Sequence, residues 1–209
     1  LVHDEDYINY VKNISTDYGR EYYLHGFGPG DNPVFENMFN AASVHVGGTL
    51  LACDLIMQKD VKHIFSLGGG YHHALSDRAS GFCIFNDPAI AIRYLQTKYK
   101  LKRIAYVDID AHHGDGVQWI FYSDPSVMTI SLHESGRYLF PGTGFIEEMG
   151  KDEAEGTKVN IPLPMNTTDK AYLYAFKELV VPLVRSFKPE LLLAQCGGDA
   201  HYSDPLTHL

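Results

Sequence analysis

The chain has few cysteines and little positive charge. Its 209 residues include only three cysteines, Cys53, Cys83 and Cys196, too few for the disulfide framework of a small secreted domain. We therefore expect a reducing, cytoplasmic location. Lys and Arg number 17 against 26 Asp and Glu, for a net charge of −9 at pH 7. This charge argues against binding to nucleic acid or to acidic membranes.

Long apolar runs and targeting segments are also expected to be missing. We expect no run that spans a membrane and no signal peptide. The sequence does not begin with Met, so we expect the natural chain to have further residues before it. With 45% hydrophobic and 21% charged residues, the composition is that of a globular protein. We predict a single domain over residues 1–209, part of a larger protein.

Helix-type and strand-type patterns alternate along the chain. We predict helices over residues 3–14, 33–58, 86–99, 117–122 and 170–187. We predict strands over residues 63–67, 103–107, 127–132, 158–163 and 190–195. Such alternation is typical of βαβ units. The predicted fold is therefore α/β, a parallel sheet with helices on both faces.

Residues 103–116, RIAYVDIDAHHGDG, join a strand to a polar cluster. The apolar run is followed by Asp108, Asp110 and His112 at alternate positions, and by Asp115. Side chains two apart on a strand lie on one face, so Asp108 and Asp110 share a face if the strand continues. Burying acids and imidazoles is costly unless they are paired or bind a metal.

Asp110, His112 and Asp199 each follow the carboxyl end of a predicted strand. In open α/β sheets these ends line the ligand crevice. Carboxylate and imidazole ligands suit Zn²⁺, and three protein ligands leave a position for water. Such a metal lowers the pKa of water towards about 7 and polarises a carbonyl. The alternative is a structural ion pair between Asp110 and His112, with Asp199 as a helix N-cap.

His72 and His73 follow three glycines at 68–70, on a backbone free to adopt unusual conformations. Each imidazole could take a carboxylate partner, and Asp108 and Asp115 are the spare acids. One imidazole could then accept a proton while the other stays charged. The alternative is a polar turn with two exposed imidazoles.

Two phenylalanines and an aspartate lie in loops that contain glycine. Phe82 follows Gly81, and Phe140 precedes a Pro-Gly pair. These rings could wall a narrow channel, or they could be ordinary core anchors. Asp31 could reach the backbone of a ligand from the rim, or it could cap the next helix.

Four motifs together resemble the histone deacetylase superfamily. They are GGGYHHAL…SGFCIFNDPAIAI (68–92), YVDIDAHHGDGVQWIFY (106–122), TISLHESGRYLFPGTG (129–144) and QCGGDAHYSDPL (195–206). The segment DPLTHL (204–209), which follows the last predicted ligand, Asp199, looks closest to bacterial and archaeal acetoin-utilisation deacetylases. The resemblance implies the arginase/deacetylase fold and hydrolysis of an N-acetylated amine, either acetyl-lysine or a small acetylated amine.

The resemblance also implies two metal sites. Zn²⁺, or Fe²⁺ in its place, would be held by Asp110, His112 and Asp199. A structural K⁺ would be held by Asp108, Ser131 and the backbone oxygens of Asp110, His112 and Leu132.

Proton-handling and substrate-channel residues follow from the same resemblance. It pairs His72 with Asp108 and His73 with Asp115, and it suggests His73 as the general base. The channel residues that it implies are Asp31, Gly81, Phe82 and Phe140.

The family's domains are longer, and they carry a C-terminal Tyr that stabilises the oxyanion; no residue here is assigned that role. An arginase-like hydrolase with two Mn²⁺ is one alternative. It is disfavoured because Gly114, two positions after His112, stands where the second metal needs an acid. A non-catalytic module that binds acyl-lysine or a metal is another. The sequence does not fix the oligomeric state, and a homo-oligomer is one option.

Overall fold

The structure is a computed structural model that describes residues 1–59 and 61–209. It consists of two compact units, Leu1–Lys100 and Leu101–Leu209. The single domain over residues 1–209 stays a prediction.

The first unit is helical. Its helices are α1 (Glu5–Ile14), α2 (Met38–Met57) and α3 (Asp87–Lys98). In α1 the buried side chains are Tyr7, Val11 and Ile14, which recur at helical spacing on one face. That face packs into an apolar cluster with Phe27, Met38, Ala79, Phe85 and Ile90.

His3 ties the start of the chain to this unit. Its Nε2 accepts a hydrogen bond from the backbone N–H of Asn86 at 2.9 Å. Its Nδ1 therefore carries the proton and donates to the carbonyl oxygen of Leu75 at 2.8 Å. Burial lowers the pKa of His3 to about 4, so the imidazole is neutral at physiological pH.

Helix α2 differs from the prediction in two respects. It begins at Met38 rather than at residue 33, because Asn37 adopts a left-handed backbone conformation with φ of +63° that a helix cannot continue through. Its 20 residues are also long and apolar enough to cross a membrane, so the expectation that no run reaches this length is wrong. Length and composition alone do not show a membrane span, since core helices of soluble proteins pass the same test.

The predicted strand over residues 63–67 is wrong. This segment has no strand in the structure, and Phe65 and Leu67 are exposed. An apolar run of strand length needs a neighbouring strand to satisfy its backbone groups. The structure pairs no strand with this segment within the described part of the first unit.

The second unit is built on a parallel sheet. Its strands are β1 (Ile104–Asp108), β2 (Val127–Glu134), β3 (Lys158–Leu163) and β4 (Leu191–Gln195). Their order is β3-β2-β1-β4, and every pair is parallel. The prediction of an α/β fold with a parallel sheet and helices is confirmed.

Three helices complete the second unit: α4 (Asp115–Ile120), α5 (Asp169–Ala175) and α6 (Val181–Phe187). A π-helical segment, Phe176–Val180, joins α5 to α6. The predicted helix over residues 170–187 is therefore interrupted, because Pro182 has no N–H to donate to the preceding turn. Side chains of this region pack against an apolar cluster that includes Val107, Ile130 and Leu132.

Lys158 is a buried cation at the start of β3. Its Nζ donates hydrogen bonds to the carbonyl oxygens of Asp124 and Val127, at 3.2 and 2.6 Å. A third bond goes to the hydroxyl of Thr157 at 2.8 Å. Burial lowers the pKa of Lys158 to about 8. These oxygens therefore stabilise a charge that the interior would otherwise disfavour.

Candidate metal centre

Two neighbouring strands bring three potential metal ligands together. Asp110 and His112 follow β1, and Asp199 follows β4. These strands pair in parallel, with Asp108 opposite Gln195, so their carboxyl ends lie side by side. One ligand atom from each of Asp110, His112 and Asp199 lies within 4.8 Å of the other two. This is the set that the sequence predicts.

The three ligand groups also contact each other directly. His112 Nδ1 lies 2.7 Å from an oxygen of Asp199 and 3.1 Å from an oxygen of Asp110. Burial by itself lowers the pKa of His112, but hydrogen bonds and charges from the two carboxylates outweigh it and raise the pKa to about 10. The site is therefore strongly attractive to a cation.

Backbone and side-chain donors hold the two carboxylates. The N–H of Ala111 donates to Oδ1 of Asp199, and Nε2 of Gln195 donates to Oδ2 of Asp110, both at 2.9 Å. Gln195 is itself oriented by the N–H of Gly197, which donates to its Oε1 at 2.7 Å. Such outer partners turn one oxygen of each carboxylate away and fix the other for a metal.

Gly197 leaves the room that the Asp110 carboxylate occupies. A Cβ at this position would lie 2.6 Å from Cγ of Asp110 and closer still to Oδ2. By contrast, a Cβ on Gly198 would meet nothing within 4 Å. A carboxylate packed into a cradle made by a glycine, next to an imidazole and a second carboxylate, fits a divalent cation such as Zn²⁺.

Asp108 lies beneath the ligands and is fully buried. Its carboxylate accepts hydrogen bonds from the hydroxyl of Tyr106 at 2.6 Å and from the N–H of Asp110 at 3.1 Å. It stands opposite Ser131 in the sheet register. Asp108 and Ser131, two of the residues expected around K⁺, are thus neighbours, while the K⁺ site itself stays a prediction.

Phe140 lies beside the metal ligands. Its ring centroid is 6.3 Å from that of His112, and its side chain is 41% exposed. The loop that carries it is held by buried polar groups: Nδ1 of His113 is 2.8 Å from the hydroxyl of Thr143, and Nε2 of His133 is 3.0 Å from the carbonyl oxygen of Gly144. Phe140 is thus a half-exposed side chain and not a core anchor, and its role as a channel wall stays a prediction.

Two of the other predicted residues also lie in the second unit: Asp115, buried at the start of α4, and Leu132, buried in β2. The rest lie in the first unit. His72 and His73 are 3% and 5% exposed, with ring centroids 3.9 Å apart. The alternative of an exposed polar turn is therefore wrong. Pairings of His72 with Asp108 and of His73 with Asp115 join different units and stay predictions.

Phe82 and Asp31 are both exposed, Phe82 at 67%. Phe82 has a positive φ of +67°, directly after Gly81 at +49°. The reading of Phe82 as a core anchor is thus wrong. Asp31 does not cap α2, which begins well after it. Channel roles for Asp31, Gly81 and Phe82 stay predictions.

Three residues near the predicted ligands were not among the candidates that the sequence suggests. Gln195 orients the carboxylate of Asp110, and Gly197 leaves room for it. Tyr172 donates a hydrogen bond to the carbonyl oxygen of Ile109 at 3.4 Å. Burial, followed by the negative charges of the site, raises the pKa of Tyr172 to about 12. A polar residue at the end of the apolar run LLLA was the available signal for Gln195.

Comparison with known families accounts for this arrangement. A model of the histone deacetylase domain matches residues 1–209. The chain therefore belongs to the histone deacetylase family, as the four motifs predict.

Within that family the chain is similar to the acetoin utilization protein AcuC. It is 50% identical to AcuC of Bacillus subtilis (strain 168) over 214 residues, which cover 100% of this chain and 54% of that protein. It is 46% identical to AcuC of Staphylococcus aureus (strain MSSA476), with the same coverage. The predicted resemblance to acetoin-utilisation proteins is confirmed, and the chain spans about half the length of these relatives.

Solved structures agree on the fold. A crystal structure of an HDAC homologue from Aquifex aeolicus matches with a TM-score of 0.90 and 39% sequence identity. The match covers 99% of this chain and 56% of that one. A crystal structure of an HDAC homologue complexed with SAHA matches with the same TM-score and identity.

Proposed function

We propose that the protein carrying this chain is a metal-dependent deacetylase that hydrolyses the amide of acetyl-lysine or of a small acetylated amine. The convergence of Asp110, His112 and Asp199 is the observation that carries this proposal. Membership of the histone deacetylase family supports it. So does the complex of a structural relative with SAHA, because that ligand was bound by a protein of the same fold.

Zn²⁺ is the metal that we propose for the three ligands, with Fe²⁺ as the competing ion. When bound, the metal polarises the substrate carbonyl and acidifies water. The chain's own contribution is to hold the ligand atoms in place. Gln195 and the N–H of Ala111 orient the carboxylates before the metal arrives. A structural K⁺ near Asp108 and Ser131 belongs to the same proposal.

His73 is the proposed general base. It would accept a proton from the attacking water, and a protonated imidazole would then give a proton to the leaving amine. Asp115 is its proposed partner, and Asp108 that of His72. The burial of both imidazoles supports a role in which their tautomers are controlled.

The proposed substrate reaches the metal between aromatic walls. Phe140, beside His112, would be one of them, and the family resemblance suggests Phe82 with Gly81 as the other. Asp31 would hold the backbone of the substrate at the rim. The acyl-lysine stem is apolar, which suits contact with phenyl rings. A cytoplasmic location and a homo-oligomer remain predictions.

The test is an assay of the protein at its full natural length with a fluorogenic acetyl-lysine peptide. We expect activity that a chelator abolishes and that Zn²⁺ restores. Asp110→Asn should remove both activity and tight Zn²⁺ binding, because an amide is a poor metal ligand. Asp169→Asn, a change of the same type at an exposed position of α5, should do neither.

Two outcomes would overturn the proposal. A fully metal-loaded protein without activity on acetylated peptides or amines would favour a non-catalytic module that binds acyl-lysine or a metal. Two Mn²⁺ per chain in metal analysis would favour the arginase-like alternative. Restoring activity with Fe²⁺ more effectively than with Zn²⁺ would replace the metal in the proposal but keep the reaction.

A further inference from the structure

The beginning of α3 holds the loop that carries His72 and His73 on both sides of the two histidines. The carboxylate of Asp87 accepts hydrogen bonds from the N–H groups of Gly70, at 3.0 and 3.1 Å, and of Tyr71, at 2.8 Å. These donors lie immediately before the two histidines. Asp87 is 2% exposed. One buried carboxylate thus holds the backbone that leads into the histidine pair.

The neighbouring Asn86 holds the loop from the other side of the histidines. Its Nδ2 donates to the carbonyl oxygens of His72 and Ala74, at 3.0 and 2.9 Å. Its Oδ1 accepts from the N–H of Ala89 at 2.9 Å and so caps α3. Asn86 is fully buried. The backbone on both sides of the histidine pair is therefore hydrogen-bonded to two consecutive residues, Asn86 and Asp87.

A third segment fixes Asp87 itself. The hydroxyl of Thr49, on α2, donates to Oδ2 of Asp87 at 2.6 Å. Gly69 lets the loop come close, because a Cβ there would lie 2.6 Å from this oxygen and 2.7 Å from the hydroxyl of Thr49. Burial raises the pKa of Asp87. Burying an ionised carboxylate to this extent is costly unless hydrogen-bond donors surround it.

We propose that Asn86 and Asp87 are positioning residues for the histidine pair. Their hydrogen bonds fix the conformation of the loop backbone and thereby the orientation of both imidazoles. This inference rests on the proposed function, since it assigns to these residues an effect on proton transfer. A loop lacks the regular hydrogen bonds that hold the backbone of a helix or strand. Its hydrogen bonds to neighbouring elements therefore determine where its side chains point. Neither residue needs to touch the substrate for this role.

The first test is Asp87→Asn in the full-length, Zn²⁺-loaded protein. The amide keeps the shape of the carboxylate but replaces one of its two acceptor oxygens by a donor. If the remaining oxygen stays on the N–H of Tyr71, the new donor faces the N–H of Gly70 and the hydroxyl of Thr49. Outer partners of an active site typically contribute about 10- to 100-fold to activity, and we expect kcat to fall by that range. The pH profile of kcat should shift. KM and zinc content should stay close to those of the unsubstituted protein.

A second variant guards against a folding defect. Asn86→Asp keeps the oxygen that accepts from Ala89, so α3 stays capped. It replaces the donor to His72 and Ala74 by a carboxylate oxygen that repels both carbonyls. We expect a fall in kcat in the same range of about 10- to 100-fold, with a shifted pH profile.

Asp54→Asn is the matched control. Asp54 lies on α2 and accepts hydrogen bonds from Tyr94, Lys98 and Tyr99, at 2.8, 2.9 and 2.7 Å. It links the same two helices as Asp87 does but has no hydrogen bond to the histidine loop. We expect thermal stability to fall while kcat and its pH profile stay unchanged.

An activity-independent measurement separates this inference from the proposed function. The imidazole NMR signals of His72 and His73 should shift in Asp87→Asn and Asn86→Asp and stay in place in Asp54→Asn. If they do not shift, or if both variants share the kcat and pH profile of the control, the positioning role is refuted. An inactive unsubstituted protein whose signals still shift as expected would refute the proposed deacetylase and keep the positioning of the pair.

Discussion

Replacing Gly197 by Ala tests the metal centre without touching a ligand. The new Cβ would lie 2.6 Å from Cγ and 3.0 Å from Cβ of Asp110. Carbon atoms in contact prefer separations of about 3.5–4.0 Å, so the carboxylate must retreat by about 1 Å. Metal–ligand distances are tolerated only within about 0.2 Å. Asp110 therefore leaves the coordination shell, or the site distorts to follow it.

The expected result is a loss of Zn²⁺ affinity. Disturbing an outer partner of a metal ligand typically costs about 10- to 100-fold, and displacing the ligand itself should cost at least as much. In free energy this is about 1.4–2.8 kcal/mol or more. The assay is competition for Zn²⁺ with a fluorescent chelator, at fixed pH, on the full-length protein.

Gly198→Ala provides the control. Its Cβ would meet nothing within 4 Å, and it adds the same methyl group one position along the chain. We expect this variant to bind Zn²⁺ like the unsubstituted protein. Equal affinities for the two variants, with both folded by circular dichroism, would refute the reasoning that places Asp110 in the coordination shell.

Three further predictions concern a base, a buried imidazole and a buried lysine. His73→Ala should reduce deacetylation far more than Zn²⁺ affinity, and equal losses in the two assays would make His73 a ligand. Burial lowers the pKa of His3 to about 4, so the unfolded chain takes up a proton below about pH 6.5 and the folded protein does not. The unfolding free energy should therefore fall by about 3 kcal/mol between about pH 6.5 and 4. In urea titrations, His3→Gln should not show this part of the fall. A variant with the same pH dependence as the unsubstituted protein would contradict the lowered pKa of His3. Lys158→Met removes the donor to two buried carbonyl oxygens and should lower the unfolding free energy by about 1–3 kcal/mol in the same titrations, whereas an equally stable variant would show that the ammonium contributes nothing.

The sheet of the second unit was predictable from sequence to within one or two residues. Each of its strands is a short, largely apolar segment between clear breaks, and each has a neighbour in the sheet. Residues 63–67 have a similar local pattern but no strand partner among the residues that the structure describes. Pairing depends on distant segments, so no local pattern can reveal it.

The helix errors have local causes that propensity alone does not show. Asn37 adopts a left-handed conformation and delays α2, although Pro33 is a good first residue for a helix. Pro182 was visible in the sequence, yet the chain absorbs it through a π-helical segment and continues. Both outcomes depend on packing that compensates a local preference.

The cluster of Asp110, His112 and Asp199 was predictable because these residue types are costly to bury without a partner. Their supporting residues were not. Gln195 could equally have been an edge residue of a strand, and Gly197 an ordinary turn residue. Asn86 and Asp87 looked only like the start of a helix, whereas the structure shows them holding a loop more than ten residues earlier in the chain. Such roles follow from tertiary contacts alone.

The parallel pairing of β1 with β4 has a consequence for biosynthesis. His112 and Asp199 are 87 residues apart in the chain, yet their side chains meet. During translation the three proposed ligands cannot come together until β4 has emerged from the ribosome and paired with β1. We therefore expect metal uptake only after this pairing, and a nascent chain stalled before Gln195 should be unable to compete for scarce metal in the cell.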